Sequence, residues 1–309
     1  PPAPLLPGWI IKAESLQIAD GTFRNDAATN REPYPYFDGE HLHFYDIQAG
    51  FGPIQLTGDT LQSRMTLRLK ERSGLKVQKM NALLQWHGRG MEFRELDLQT
   101  PKSRLRDYFA MRYLHFNHDM NRFVSHIIME GRFVKSTIHS DDLALFAPEL
   151  KNMNDVVQLS GRARGTLNHL KGEDILITTG TNTKFAGRFT IDGLPDINNT
   201  FLDINATALS TNYNDALQIY PGLRKIKYPA LNKLGRVDFT GSFTGYINDF
   251  VTYGTLRTNL GTVITDINLK LPARSAPIYS GKLRTRNFNI GSFLNEPLLG
   301  SIELEAAIR

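Results

Sequence analysis

Hydrophobic and polar residues alternate at period two along most of this chain, as strands with one face in water require. The clearest run is 237–247, which sets Val237, Phe239, Phe243 and Ile247 against Asp238, Thr240, Ser242 and Thr244. Phe185, Phe189 and Ile191 oppose Lys184, Arg188 and Thr190, and Leu202, Ile204, Ala206 and Ala208 oppose Asp203, Asn205 and Thr207. Val263, Ile267, Leu269 and Leu271 repeat the pattern against Thr262, Asp266 and Asn268, as do Ile302, Leu304, Ala306 and Ile308 against Glu303, Glu305 and Arg309. In the N-terminal half, Met65, Leu67 and Leu69 oppose Arg64, Thr66, Arg68 and Lys70. There too, Leu105, Phe109, Met111 and Tyr113 oppose Arg104, Arg106 and Arg112. Turn residues separate the runs at Gly58-Asp59, Arg72-Ser73-Gly74, Gly180-Thr181-Asn182 and Asp192-Gly193-Leu194-Pro195. The pattern predicts roughly 15 to 18 strands, many of about 8 to 11 residues.

Helical signals are short and recur. Ser140–Pro148, Asn214–Pro221 and Ile290–Pro297 each join a capping residue, one or two apolar turns and a proline stop. His118–Ile128 predicts a further short helix, and Pro1–Pro7 and Asp26–Pro35 read as irregular.

A longer period overlies the alternation. Gly161, Gly165 and Asn168 return 80 residues later as Gly241, Gly245 and Asn248. The unit is a short helical plug followed by about four or five strands, with a period near roughly 75 to 80 residues. The expected fold is mainly β: an elongated, curled antiparallel sheet, a groove or half-pipe, with short helices between units. The expected organisation is 1–8 irregular, 9–138 a first groove section of about one and a half units, 139–216 a second unit and 217–309 a third, truncated at its end.

Composition narrows the function classes. The net charge of +5 is mild and its Lys and Arg are scattered, where a nucleic-acid binder clusters them with stacking aromatics. Zero Cys excludes disulfides and thiolate metal sites. No apolar run approaches the roughly 20 residues of a spanning helix. The proline-rich start without Met and the end inside an alternating strand suggest an excised piece.

The candidate chemistry has plain structural readings. His41 and His43 share a strand face, but no third metal ligand is fixed by the sequence. His115, His118 and His126 read as solvated or core-edge residues. Asp141-Asp142 reads as helix capping. Gly161–Gly165 lacks the Gly-Lys-Ser/Thr ending of a phosphate loop, and its repeat Gly241–Gly245 has no basic residue. These four glycines read as strand kinks. No Ser/His/Asp set stands out, so the chain is expected to be neither an enzyme nor a cofactor or metal protein.

A one-faced strand array must bury its apolar side against a second sheet, close into a barrel, or curl into a trough. An open trough takes acyl chains at about 0.8 kcal/mol per methylene. The residues expected to line it are Phe185, Phe189, Ile191, Leu202, Ile204, Val237, Phe239, Phe243, Ile247, Val263, Ile267, Leu269, Ile302 and Leu304. The competing reading makes the same residues sealed core.

Phe37-Asp38-Gly39-Glu40-His41-Leu42 with Leu69-Lys70-Glu71-Arg72-Ser73-Gly74-Leu75 resembles the TamB branch of the AsmA-like proteins, in Bacteroidetes-type versions. So do Leu143–Leu150 followed by Leu159–Gly165, and Phe189–Ile197. The likeness runs from Trp9 to Arg309 and corresponds to the middle of a longer protein. It implies a repeating β-groove that moves phospholipid across the periplasm of a Gram-negative bacterium, its acyl chains in the groove. It also implies an inner-membrane helix and an Omp85-type outer-membrane barrel partner, each engaged through regions this chain lacks. Two further functions stay open: a scaffold that helps assemble outer-membrane barrel proteins, and an extracellular β-sandwich adhesin.

Overall fold

Alternating β-branched and aromatic residues punctuated by Gly, Asn and Asp turns fold into antiparallel strands throughout. The computed structural model describes residues 10–26, 31–146, 155–194, 196, 199–219, 221–272 and 278–308. The irregular start at Pro1–Pro7, residues 27–30, Ala147–Leu150, Pro195, Ile197, Tyr220 and Arg309 lie outside them.

The chain forms two compact units, 1–170 and 171–309. The first contains β1 (Ile10–Ala13), β2 (Leu16–Asp26), β3 (His41–Thr57), β4 (Thr60–Glu71), β5 (Lys76–His87), β6 (Gly90–Gln99), β7 (Arg104–Arg112), α1 (Phe116–Met120), α2 (Phe123–His126), β8 (Ile128–His139), α3 (Ser140–Leu143) and β9 (Val156–Thr166). The boundary falls within β10 (His169–Thr179), and the second unit contains the rest of that strand, β11 (Thr183–Asp192), β12 (Phe201–Asn212), α4 (Tyr213–Ile219), β13 (Arg236–Tyr246), β14 (Asp249–Thr258), β15 (Gly261–Lys270), β16 (Ile278–Asn289), α5 (Ile290–Leu294) and β17 (Ser301–Ile308). Two 3₁₀ turns, Pro221–Lys225 and Leu231–Leu234, lie between α4 and β13.

The fold is mainly β, with antiparallel strands, few short helices and no closure into a barrel. In the first unit β2 to β9 pair in chain order, and the long β3 also accepts β1 beside β2. In the second unit β11 to β17 pair in chain order.

Many strands are broken once by a bulge. The register slips next to Asp20, Asp46, Glu95, Asp107, Lys135 and Asn287, each at positive φ between 46° and 101°. Short polar side chains tolerate that backbone best, and the extra residue bends the strand. In β12 the slip falls between Ala206 and Leu209, so Ala208 leaves the apolar face and Leu209 takes its place. That corrects the alternation expected for 202–208.

A helix follows the fourth strand of each quartet: α3 after β8, α4 after β12 and α5 after β16. Thr100, Thr179 and Thr258, spaced 79 residues apart, lie at the end of the second strand of those quartets, Thr100 just past β6 and the other two as the last residues of β10 and β14. From α4, Asp215 reaches back to the β10–β11 turn, accepting hydrogen bonds from Thr181 N (3.2 Å), Asn182 N (2.7 Å) and the hydroxyls of Thr181 (2.9 Å) and Thr183 (3.0 Å). Gly180, at φ +57°, gives it room, since a Cβ there would sit 2.7 Å from Asp215 Cγ. Asp142 of α3 makes the corresponding clasp on the β6–β7 turn, accepting from Thr100 Oγ1 (2.6 Å) and from Ser103 Oγ. The expected capping role is therefore corrected. The α3 N-cap is His139, which accepts from Asp141 N, and Asp142 serves the neighbouring hairpin. In the third quartet the position holds Ser292, whose amide is capped by Asn289 at 2.8 Å.

Candidate apolar-ligand face

Residues paired across an antiparallel ladder point to the same side, so the register assigns faces without further assumption. In the second unit Phe185 pairs with Leu209, Phe189 with Ile204 and Ile191 with Leu202. Ile204 pairs with Phe243, and Leu209 with Phe239. Phe239 then pairs with Leu256 and Phe243 with Thr252. Thr252 pairs with Ile267, Leu256 with Val263 and Phe250 with Leu269. Thr285 links Val263 to Leu304, and Ile302 pairs with Phe288. Val237, beside Thr211 and Thr258, completes the same side. Thirteen of the fourteen expected lining residues thus share one face. The fourteenth, Ile247, does not. It occupies the two-residue turn between β13 and β14, because the strand pairing ends at Tyr246–Asp249.

That face is neither sealed nor bare. Its large side chains are mostly half-buried, Leu304 is 42% exposed, and Ala206, Thr285 and Phe288 upon it are buried, with the glycines Gly245 and Gly254. Its phenylalanines lie along the sheet. A Cβ built on Gly241 would meet Phe239 Cζ at 2.9 Å and Tyr253 O at 2.1 Å, and one on Gly254 would meet Phe239 Cε2 at 2.8 Å. The Phe239 ring therefore covers the Gly241–Gly254 pair, as aromatics do over strand glycines. Phe243 and Phe250 rings stand 4.5 Å apart, and Phe293 of α5 closes on Phe288 at 5.5 Å. The repeat glycines Gly161, Gly165, Gly241 and Gly245 sit at φ +127°, +141°, +155° and +135°, conformations that disfavour a side chain.

The opposite face is polar: Asp266 pairs with Lys282, and Arg284 bonds Glu305 at 3.1 Å. It also carries exposed Val251, Tyr253 and Ile278, so segregation is incomplete.

In the first unit the corresponding face is closed. Met65, Val77, Met80, Ala82, Leu84 and Leu96 are each at most 8% exposed, with Phe51, Leu61, Leu67, Phe93, Leu98 and Phe109 packed around them. Hollows of about 460 and 590 Å³ in this unit are lined by residues of both faces, Gln48, Leu67, Arg68 and Met80 in the first and Ile54, Gln62, Arg64 and Leu84 in the second.

Residues 34–41, Arg72 and 145–146 meet at one end of the first unit. Arg72 donates to the carbonyls of Tyr34 (2.7 Å), Tyr36 (3.2 Å) and His41 (3.4 Å). Phe37 N donates to Leu145 O at 2.8 Å, and its ring lies 4.9 Å from Phe146. Burial pushes the Asp38 carboxyl up, but the Arg31 guanidinium and the amides of Tyr34 and Glu40 outweigh it and hold the group at about 2. Burial likewise opposes ionisation of Asp215, and the Asn182 and Thr181 amides and threonine hydroxyls outweigh it, keeping that carboxyl below the ordinary aspartate range. Both are structural anions.

The histidines do not converge. His41 approaches Asp26 at 3.3 Å, the His43 ring lies tilted at 5.6 Å from that of Tyr45, and the rings of His118 and His126 stand 5.8 Å apart with Asp119 at 2.9 Å from His118. Among the described residues, no three His, Cys, Asp or Glu side chains gather as a metal site. No described helix is long and apolar enough to cross a membrane. Comparison with known protein families, curated proteins and solved structures returns no match.

The sequence reading missed the Asp142 and Asp215 clasps. The signal was present as an Asp at the third helical position following a Thr-led turn two strands earlier.

Proposed function

We propose that this chain is a section of a periplasmic bridge-like lipid-transfer protein of a Gram-negative bacterium, carrying phospholipid by its acyl chains and performing no covalent chemistry. The observation that carries the reading is the half-buried apolar face of the second unit, shared by seven consecutive strands, β11 to β17. A fully buried Phe or Ile side chain gains about 1.5–3 kcal/mol, so side chains left half in water retain a driving force for a sliding apolar guest. Threonines such as Thr252 and Thr265 within the face lower the grip at any one point, which suits passage over storage. In the full-length protein, the membrane anchor and barrel partner implied by the resemblance would supply the two ends of the route.

Phospholipid recovered by mass spectrometry from the purified chain, and crosslinking to lipid from a photoreactive residue at position 243, are the expected results. An empty chain and a crosslink only to protein would overturn the proposal. The closed Met/Leu cluster of the first unit favours a second reading, an assembly scaffold for outer-membrane barrels in which the face is core. That reading expects Phe243→Arg to abolish folding, whereas lipid transfer expects a folded chain that no longer binds lipid.

A further inference from the structure

Between Asp215 and Asp238 the chain carries five cations (Arg224, Lys225, Lys227, Lys233 and Arg236) and no carboxylate. Arg236 is committed to Asp238 at 2.9 Å and Lys233 to Asn295 at 2.9 Å. Among the described residues, Arg224, Lys225 and Lys227 form no ion pair. They stand in a run of five exposed residues, Arg224-Lys225-Ile226-Lys227-Tyr228, in which Tyr228 is 63% and Ile226 42% exposed. Ile219, at the end of α4, adds a third apolar side chain at 47%.

The segment is anchored from below. Ile226 N donates to Leu223 O at 3.1 Å, Ala230 N to Phe293 O of α5 at 2.8 Å, and Leu223, Leu231 and Leu234 are half-buried. A fixed platform thus lifts three cations without an ion pair among the described residues, a tyrosine and two isoleucines into solvent. The loop after α5 contributes one carboxylate, Glu296.

Basic side chains interleaved with exposed Tyr and Ile match a surface that is anionic outside and apolar a few ångströms deeper. Lysine and arginine snorkel to lipid phosphates while tyrosine rests at the headgroup level. An acidic protein would satisfy the charges and leave Ile219 and Ile226 without a partner. We propose that Ile219 with Arg224–Tyr228 is a peripheral docking surface for an anionic phospholipid bilayer, separate from the strand face and independent of lipid transfer along it.

The test is co-sedimentation of the chain with vesicles of phosphatidylcholine, with and without phosphatidylglycerol, followed also by the emission of Tyr228→Trp. Binding only to the phosphatidylglycerol vesicles, weakened by salt and accompanied by a blue shift, is expected. R224Q/K225Q/K227Q should lower the partition coefficient at least about tenfold, given a favourable contribution from each cation near such a surface. Phe243→Arg should leave docking intact, so failure of the transfer proposal and failure of this one are distinguishable. Equal binding to pure phosphatidylcholine, binding unchanged in the triple variant, or retention only on an acidic polypeptide overturns the proposal. The salt titration of the unmodified chain decides the question even if a variant folds poorly.

Discussion

The two units present the same strand chemistry with opposite outcomes. In the first, one face carries long flexible side chains, Met65, Met80, Leu84 and Leu96, which fill the space above the sheet and exclude water. In the second, the equivalent face alternates phenylalanine with glycine and threonine. The Phe239 ring lies over Gly241 and Gly254, and the large side chains of the face stay mostly half-buried. Hydrophobic alternation alone therefore does not distinguish core from open surface. The companions of the large residues decide it: Met and Leu close a face, and Gly and Thr leave it open.

Charge insertion should break the comparison most sharply. Met80→Arg places a cation in a site 7% exposed and should cost more than about 4 kcal/mol, enough to abolish the thermal transition of the first unit. Phe243→Arg, on the half-buried face, should stay within about 2 kcal/mol and keep a native circular dichroism spectrum. Equal losses at both sites would refute the distinction. Truncation sharpens the contrast on a smaller scale. Leu84→Ala should cost about 3 kcal/mol through its cavity, and Ile267→Ala about 1 kcal/mol, by urea denaturation.

Asp215→Asn should destabilise the second unit by about 2 kcal/mol at neutral pH, since its carboxylate accepts four hydrogen bonds. The native carboxyl titrates below the unfolded one, so its contribution is complete above the unfolded value and fades as pH falls through the folded value. An acid titration of stability should consequently be flatter in the Asn variant over that window. The smallest effect is expected on the polar face. Arg284→Ala, breaking an exposed pair with Glu305, should change stability by less than about 0.5 kcal/mol.

Strand number, antiparallel class and the shared side of Phe185 through Leu304 were legible because side chains alternate with the pleat and the register preserves that alternation from strand to strand. The bulges were not read. A lone Asp or Asn inside an apolar run, such as Asp46, Asp107 or Asn287, looks like one more outward polar residue until its left-handed backbone is seen. The error at Ala208 has the same origin, because a single extra residue reverses the side of everything after it. Ile247 fell off the face for a different reason: turn and strand share the residues Gly245 to Asn248, and alternation does not mark where pairing stops. Half-burial itself was beyond the sequence, since it depends on which neighbours lie down over which glycines.

The clasp from helix to hairpin carries a consequence for how such a chain changes over generations. Asp142 and Asp215 each bind a turn formed two strands before their own helix, so the quartets ending in β8 and β12 each carry their own fastening. Duplicating or losing a whole quartet leaves every remaining fastening with its turn. Gaining or losing a single hairpin strands a carboxylate without its donors. Lineages of such chains should therefore differ in length by steps of four strands, with odd hairpins selected against.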